Sequence, residues 1–482
     1  MKKVKRIISL FLVAVMAMGL MAGCGNNEEK PVTLTWYFLG DTAQSGNAEV
    51  YKTASDMVYE KLGFYVDFKP FDYSTYAQKI QMVIAGGEDW DICWTSNWSN
   101  DYASNVANGA FAEIDELLNE APALRDSIDS KIWEGTKIGG KLYGIPVQQI
   151  MARRANLEIP TVFYEKYNDT LQNVETYTDM DAFMKAYGKD YPNHGTVNFN
   201  LQNLNYDWNF DDIVSTGFPA VVAFEDDSER IEVFNQYETE TYRNAVVLRR
   251  EWTKNGYTRK GSDGNAQASS KKPEDEPFVV NSYSPGYEIE RAMQTGYPVT
   301  SLFVSDAYLS SAGINATLHG INKRSKHKVE AIKFLEYVNT DKDIINLLVY
   351  GIEGKHYEKI DENTVRRIEN SGYRADDWVM GNVFNTYVLE GQPEDKHVLT
   401  KEINDTAKAS RLLGFVPNLD PIKVEIANCK SVLNEYTETL EGGFAEDPIA
   451  YLDEMNAKFK TAGVDKVIAE LQSQIDAWQA TK

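Results

Sequence analysis

Residues 33–95 read TLTWYFLGDTAQSGNAEVYKTASDMVYEKLGFYVDFKPFDYSTYAQKIQMVIAGGEDWDICWT, and the periodicity of this stretch sets the fold class. Thr33 to Leu39 is a short apolar and aromatic run ended by Gly40-Asp41, which reads as a buried strand. From Asn47 to Leu62 the apolar positions Val50, Ala54, Met57, Val58 and Leu62 recur at helical spacing, and Gly63 closes the segment. Tyr65 to Phe71 reads as a second strand, Tyr73 to Ala85 as a second helix stopped by Gly86-Gly87, and Asp91 to Thr95 as a third strand. Strand, helix, strand, helix, strand in short succession calls for a parallel sheet with right-handed crossovers. Ligands of such sheets sit beyond the carboxyl ends of the strands. That rule puts Gly40-Asp41 and Thr95-Ser96-Asn97-Trp98 at the edge of a candidate site.

Further along, Phe111 to Leu118 forms helical turns, and Gly139-Gly140-Lys141 reads as a hairpin turn feeding a strand through Val147. The pattern changes around Arg153 to Tyr164, where a crossover into a second lobe is expected. Glu175 to Met184 looks like a capped helix start. Lys260 to Pro277 lacks apolar periodicity and is rich in Gly, Ser, Pro and charge, as a surface loop is. Val299 to Val304 reads as a buried strand, Val329 to Val338 as an amphipathic helix, and Asp465 to Gln479 as a closing helix. The chain has 482 residues. Single cores stop growing near about 250–300 residues, so two or more domains are expected.

The N-terminus carries a separate signal. Lys2, Lys3, Lys5 and Arg6 precede an uncharged apolar run from Ile7 to Met21, too short for a permanent span but suited to a signal peptide. It ends in Leu20-Met21-Ala22-Gly23-Cys24, which is similar to a bacterial lipobox with Met21 where leucine is usual. In that reading residues 1–23 are the signal, Cys24 is lipidated, and residues 24–30 are a flexible tether. Ordinary cleavage near Gly23 is the alternative. Loss of the four basic residues takes the formal charge from −23 to −27. So acidic a chain is repelled by phosphate backbones, and no nucleic-acid partner is expected. Cys93 and Cys429 then remain, either paired or as buried thiols. The five histidines match no metal-ligand spacing, and neither metal nor cofactor is expected.

Gly135 to Lys141 matches the first seven positions of a P-loop, but Leu142 stands where the magnesium-binding hydroxyl belongs. There is no GxSxG elbow and no GxGxxG fingerprint. A glycoside hydrolase needs only two carboxylates at the right separation, and 72 acidic residues satisfy that trivially. The aromatic residues are more informative. Trp36, Trp94 and Trp98 fall on or just beyond strand ends, and Trp208 and Trp378 lie in polar, acidic contexts. Sugar rings pack their C–H faces on aromatic rings while carboxylates and amides take the hydroxyls. These five tryptophans, with Asp41, Asn97 and Asp306 as hydroxyl partners, are the candidate ligand-binding residues. Core packing of a tryptophan has the same local signature.

The lipobox, TLTWYFLGD (33–41), DICWTSNW (91–98) and GKLYGIP (140–146) together resemble the sugar-binding group of the extracellular solute-binding proteins (family 1). INKRSKHKVEAIKFLEYVNTDKDIINLLVYGIEGKHYE (321–358) resembles its lipoprotein LipO-like subgroup. The tail from LGFVPNLDPIKVEIANCKSVLNEY to AGVDKVIAELQSQIDAW is similar to a C-terminal domain of unknown function found there. The resemblance covers essentially the whole mature chain. It implies a two-lobed, type II periplasmic-binding-protein-like α/β fold, each lobe a mainly parallel sheet flanked by helices, with the ligand cleft between lobes. The implied first lobe is 31–151 plus about 298–340, and the second is 152–297 plus about 341–400, with 401–482 helical and packed on the second. The implied function is non-catalytic. A monomer anchored by lipid on the outer face of a Gram-positive membrane captures an oligosaccharide by hinge closure and delivers it to an ABC permease. A peptide or other polar solute is the alternative ligand, with Arg153-Arg154 the one candidate anchor for a peptide terminus. A surface glycoside hydrolase is the alternative activity.

Overall fold

The computed structural model describes residues 31–192, 194, 201–258 and 272–481. The signal segment, Cys24 and the tether lie outside the described residues, as does most of the expected 260–277 loop. The opening segment alternates β1 (Thr33–Leu39), α1 (Asn47–Leu62), β2 (Tyr65–Phe71), α2 (Tyr76–Gly86) and β3 (Ile92–Thr95). β1 pairs in parallel with both neighbours, Trp36 standing opposite Phe68 and Ile92. α1 buries Val50, Ala54 and Val58 and ends at Gly63, whose left-handed backbone lets its N–H reach the Tyr59 carbonyl. Gly139 and Gly140 both have positive φ. Ile138 and Lys141 exchange backbone hydrogen bonds around them, a hairpin turn and no phosphate loop. β4 (Gly144–Pro146) follows it.

The chain then leaves the first lobe. β5 (Asn156–Pro160), β6 (Phe210–Asp212), β7 (Ala220–Ala223), β8 (Phe234–Asn235), α3 (Glu240–Lys254), β9 (Val279–Asn281), α4 (Tyr287–Thr295) and β10 (Val299–Phe303) build the second. β11 (Tyr308–Leu309) lies at the crossover, and β12 (Leu318–Ile321) returns to complete a five-stranded sheet in the order β2-β1-β3-β12-β4. β12 runs antiparallel to β3 and β4. The two-lobed α/β class stands, but the second lobe is not a mainly parallel sheet. Its sheets, β10-β5-β9 and β6-β7-β8, are antiparallel throughout. β5 enters from the crossover and β10 runs back toward it, so the pair must point opposite ways.

Two of the expected boundaries are corrected. Residues 299–303, expected in the first lobe, pair with 156–160 in the second. Residues 341–390, expected in the second lobe, pack in the first. α5 (Lys328–Thr340) and α6 (Lys342–Tyr350) lie on α1, and Ile344, Ile345, Leu348, Val349, Val365 and Met380 sit in the same core as Leu34, Trp36 and Phe38. The apolar stripe of α6 has no other face to bury against. After α7 (Lys396–Thr406) and β13 (Lys408–Ala409), the helices α8 (Lys423–Glu441), α9 (Pro448–Ala462) and α10 (Val464–Gln479) bury Cys429, Tyr436, Met455, Phe459 and Leu471 in the second core.

Three crossovers run side by side between the lobes. Arg153 and Tyr308 exchange backbone hydrogen bonds of 2.8 Å, and Tyr308 pairs in parallel with Lys408. Met151, Leu309 and Ile314 form a small apolar cluster there. Asn404 clamps the first crossover, accepting from the Met151 and Ala152 N–H groups at 2.8 and 2.9 Å and donating to the Gln149 carbonyl at 2.7 Å.

Candidate ligand-binding cleft

The turn after β3 holds the most exposed tryptophan at the cleft. Ser96 Oγ accepts from the backbone N–H of Trp98 and Ser99, and Asn100, at φ 52°, donates its amide to the Trp94 carbonyl at 2.7 Å. That bracing projects Trp98 away from the sheet. Its indole Nε1–H is tied to the Ala316 carbonyl at 2.9 Å, while 58% of the residue remains exposed. Trp94 supports it from behind, ring centroids 5.2 Å apart, and Trp378 completes a triangle, 6.3 Å from Trp98 and 6.2 Å from Trp94. Tyr73 packs on Trp378 at 6.2 Å. The result is an aromatic wall with one open face, suited to the C–H side of a sugar ring.

Three cavities among the described residues border this wall and a further one adjoins them. One of about 300 Å³ is lined by Trp98, Trp378, Gln149 and Arg153 together with Ser284 and Glu290 of the second lobe. A larger one of about 480 Å³ shares Trp98 and Arg153 with it and reaches Asn97, Tyr206, Asp211 and Asp212. A third, about 290 Å³, continues past Tyr206 and Asp212. The fourth, about 240 Å³, extends from Trp378 and Asp377 toward Arg367 and Arg374. Apolar walls with a few placed polar groups are what small-ligand sites share.

Lys396 meets Glu290 at 3.2 Å. Burial pushes the Asp377 carboxyl upward. Burial also raises Asp211 to about 7, with the Ser410 hydroxyl opposing the shift. Asp212 rises well above the usual carboxylate range, first through burial and then through the adjacent Asp211. Among the described residues no group of three or more His, Cys, Asp or Glu side chains is arranged to hold a metal. Cys93 and Cys429 are free thiols buried in different cores.

Of the tryptophans expected at a site, Trp98 and Trp378 line the cleft, Trp94 is 0% exposed and packs behind them in the first core, and Asn97 lines the larger cavity with its amide on the Ala312 carbonyl. The other four are placed elsewhere. Trp36 is 0% exposed, locked among Phe38, Phe68, His319 and Phe334, because Leu34, Trp36 and Phe38 all fall on the buried side of β1. Trp208, 7% exposed, packs on Phe210 and Tyr242 in the second core. Asp41 caps its own turn through the Ala43 N–H, and Asp306 is paired with Lys408 at 2.6 Å on the crossover. Gln149, Glu290, Lys396, Asp211 and Asp212 were not anticipated from sequence. Their lobes meet only in three dimensions, and the one local signal was the cluster of acids and aromatics from Tyr206 to Asp212.

Residues 54–348 match the profile of the bacterial extracellular solute-binding protein family, and 411–480 match a domain of unknown function. A carbohydrate ABC transporter substrate-binding protein of Streptococcus pneumoniae serotype 4 is 26% identical over 496 residues, covering 98% of this chain and 97% of that one. The polygalacturonan/rhamnogalacturonan-binding protein YtcQ of Bacillus subtilis is 21% identical over 77% of each chain. Among solved structures, the N-glycan transport solute binding protein of Streptococcus pneumoniae superposes with a TM-score of 0.82 at 23% identity, over 94% of this chain and 99% of that one. Its complex with Man5GlcNAc gives 0.76 at 24% identity, over 94% and 99%.

Proposed function

The chain belongs to the bacterial extracellular solute-binding proteins, and from that premise we propose that it captures an oligosaccharide between its lobes for an ABC importer. The observation that carries the sugar class is Trp98. Its ring edge is fixed by a hydrogen bond, its face is open, and both lobes line the cavity it fronts. Two of the similar proteins are named for carbohydrate or polysaccharide binding, which supports the same class. Capture is a shift between open and closed lobes about the three adjacent crossovers, stabilised by ligand contacts that need both lobes at once. No bond is made or broken, and no cofactor is required.

The finer parts of the proposal are retention on the outer face of a Gram-positive membrane by lipid on Cys24, a monomeric state, and docking on the permease. They are supported by residues 1–24 and by the family. A second reading, a ligand with a carboxylate terminus such as a peptide, is favoured by Arg153. Its guanidinium lines two of the cavities and makes no ion pair among the described residues.

A thermal-shift panel separates the two, since a ligand bound only by the native state raises the melting temperature. The panel is Man5GlcNAc, an oligogalacturonide and short peptides. A rise with a glycan that is lost in Trp98→Ala is the expected result. A rise with peptides alone contradicts the carbohydrate assignment.

A further inference from the structure

Residues 412–419 open the stretch that matches the domain of unknown function, and they run along the cavity of about 480 Å³. This arm is tied down on both sides. Next to the crossovers, the Gly414 N–H donates to Ser311 Oγ at 3.1 Å. Toward the C-terminal helices, Asn418 and Gln474 of α10 exchange hydrogen bonds of 2.7 and 2.9 Å, and the Phe415 ring meets Trp478 at 5.4 Å. Val416, Pro417 and Leu419 of the arm line the cavity together with Ile138 of the first lobe and Val214 of the second. All five are half-buried. Among the described residues Val416 packs into none of the three apolar clusters, so its methyl groups serve no core. Trp98, Arg153 and Ala316 line both this cavity and the one of about 300 Å³. The two are therefore compartments of one groove, with the Trp98 platform at its waist.

We propose that this arm makes the C-terminal domain the end wall of the ligand groove, and that the compartment it closes seats a sugar unit bearing a methyl group. Acetamido sugars and deoxy sugars both carry one. The inference rests on the oligosaccharide reading above and narrows it. A unit stacked on Trp98 has this compartment beside it, so the next unit of the chain falls against the arm. Hydroxyls pressed on Ile138, Val214 and Val416 would lose water and gain no partner. A methyl group gains by leaving water at the same place. Asn97 and Ser215, which line the same space, are left for the hydroxyls on the unit's other edge. A carboxylate or an ammonium would have to shed its water against the apolar side chains, at a higher cost than a hydroxyl. An apolar seat for one methyl group is worth about a tenfold preference or more over a ligand that lacks it.

The test is isothermal titration of the wild-type chain, Val416→Thr, Val416→Trp and Trp98→Ala, each melted in parallel by calorimetry. The ligands are two pairs, Man5GlcNAc with mannopentaose and fucosyllactose with lactose, and an oligogalacturonide. Only the first member of each pair carries the methyl group, on an acetamido or on a deoxy unit. Val416→Thr keeps the shape of the side chain and adds a hydroxyl, while Val416→Trp fills the compartment. The expected result is about tenfold or greater preference of wild type for the methyl-bearing member of one pair, and the responding pair identifies the group. Val416→Thr should erase that preference without weakening the other member, and Val416→Trp should weaken the methyl-bearing glycan about tenfold or more, both at an unchanged melting temperature. Binding that Trp98→Ala abolishes and both Val416 variants retain would overturn the inference and spare the reading above. Equal affinity within both pairs, or tightest binding of the oligogalacturonide, would also overturn it and leave an oligosaccharide receptor. Binding of none of the five would remove both. If Val416→Trp fails to fold, the Val416→Thr result decides.

Discussion

Trp98 and Ala316 are joined by an indole N–H to carbonyl hydrogen bond of 2.9 Å, and that one contact sets how the tryptophan meets the cleft. The bond takes the polar edge of the ring back to the protein and leaves the apolar face outward. Ala316 itself lines both cavities that Trp98 divides. The platform is therefore pre-positioned, and little side-chain entropy remains to be lost on binding.

Truncating this platform is expected to cost binding and not folding. In Trp98→Ala the affinity for the bound glycan should fall by about 2 kcal/mol, as at other buried aromatic anchors, with stability within about 0.5 kcal/mol of wild type. Trp36→Ala should do the reverse, losing about 3–5 kcal/mol of stability through a core cavity. Urea denaturation and calorimetric titration of the two variants separate these effects. Equal stability losses would contradict the placement of the two rings.

The hinge is expected to be intolerant at Gly313. A Cβ there would sit 2.1 Å from the Met151 carbonyl oxygen, a backbone atom of the first crossover that cannot rotate away. Gly313→Ala should lower the melting temperature and weaken glycan binding together, because the strand that must give way also sets the angle between lobes. Wild-type stability in this variant would contradict the close approach.

Removing the Asn404 side chain should strand the Met151 and Ala152 N–H groups. An unsatisfied buried donor costs about 1–3 kcal/mol, so Asn404→Ala is expected to lower the unfolding free energy by an amount in or above that range, read as a lower urea midpoint. A shift near zero would show that the clamp contributes nothing.

Stability should fall steadily as pH rises from about 4 to about 8. Burial raises Asp207 and Asp211 to about 7 and Glu441 to about 8 in the folded chain, against about 4 when unfolded. The native state thus holds more protons over that window, and stability falls as pH rises through it. His319 behaves oppositely. Burial lowers it to about 4, the unfolded ring takes a proton below about 6.5, and its own contribution falls as pH drops from there toward 4, offsetting one of the three carboxylates. Urea midpoints between pH 4.5 and 8.5 check this. Asp211→Asn should flatten the fall between about pH 4 and 7 and His319→Gln should steepen it below about 6.5, and unchanged slopes would contradict the assignment.

Much of the first lobe was legible because its signals are local. Val50, Ala54 and Val58 fall on the buried face that their spacing announces, and Gly63 ends the helix where left-handed backbone is needed. The second lobe was not legible in the same way. Its strands are two to five residues long, and Asn156 finds its partner at Phe303, across a separation that no local period encodes. The tryptophans divide along similar lines. Trp36 was expected at the ligand, yet it alternates with Leu34 and Phe38 along one face of a strand, a period-two pattern that puts it in the core. Trp208 and Trp378 share an acidic loop context, and only the packing of distant elements buries the first and opens the second to the cleft.

The most direct measurement is calorimetric titration of the wild-type chain with the oligosaccharide that raises its melting temperature most, repeated on Trp98→Ala. A single saturable site in wild type, weakened about tenfold or more in a variant that melts as wild type does, is the expected result and places the glycan on this platform. The same affinity in both proteins would put the ligand elsewhere and contradict the cleft as the site of capture.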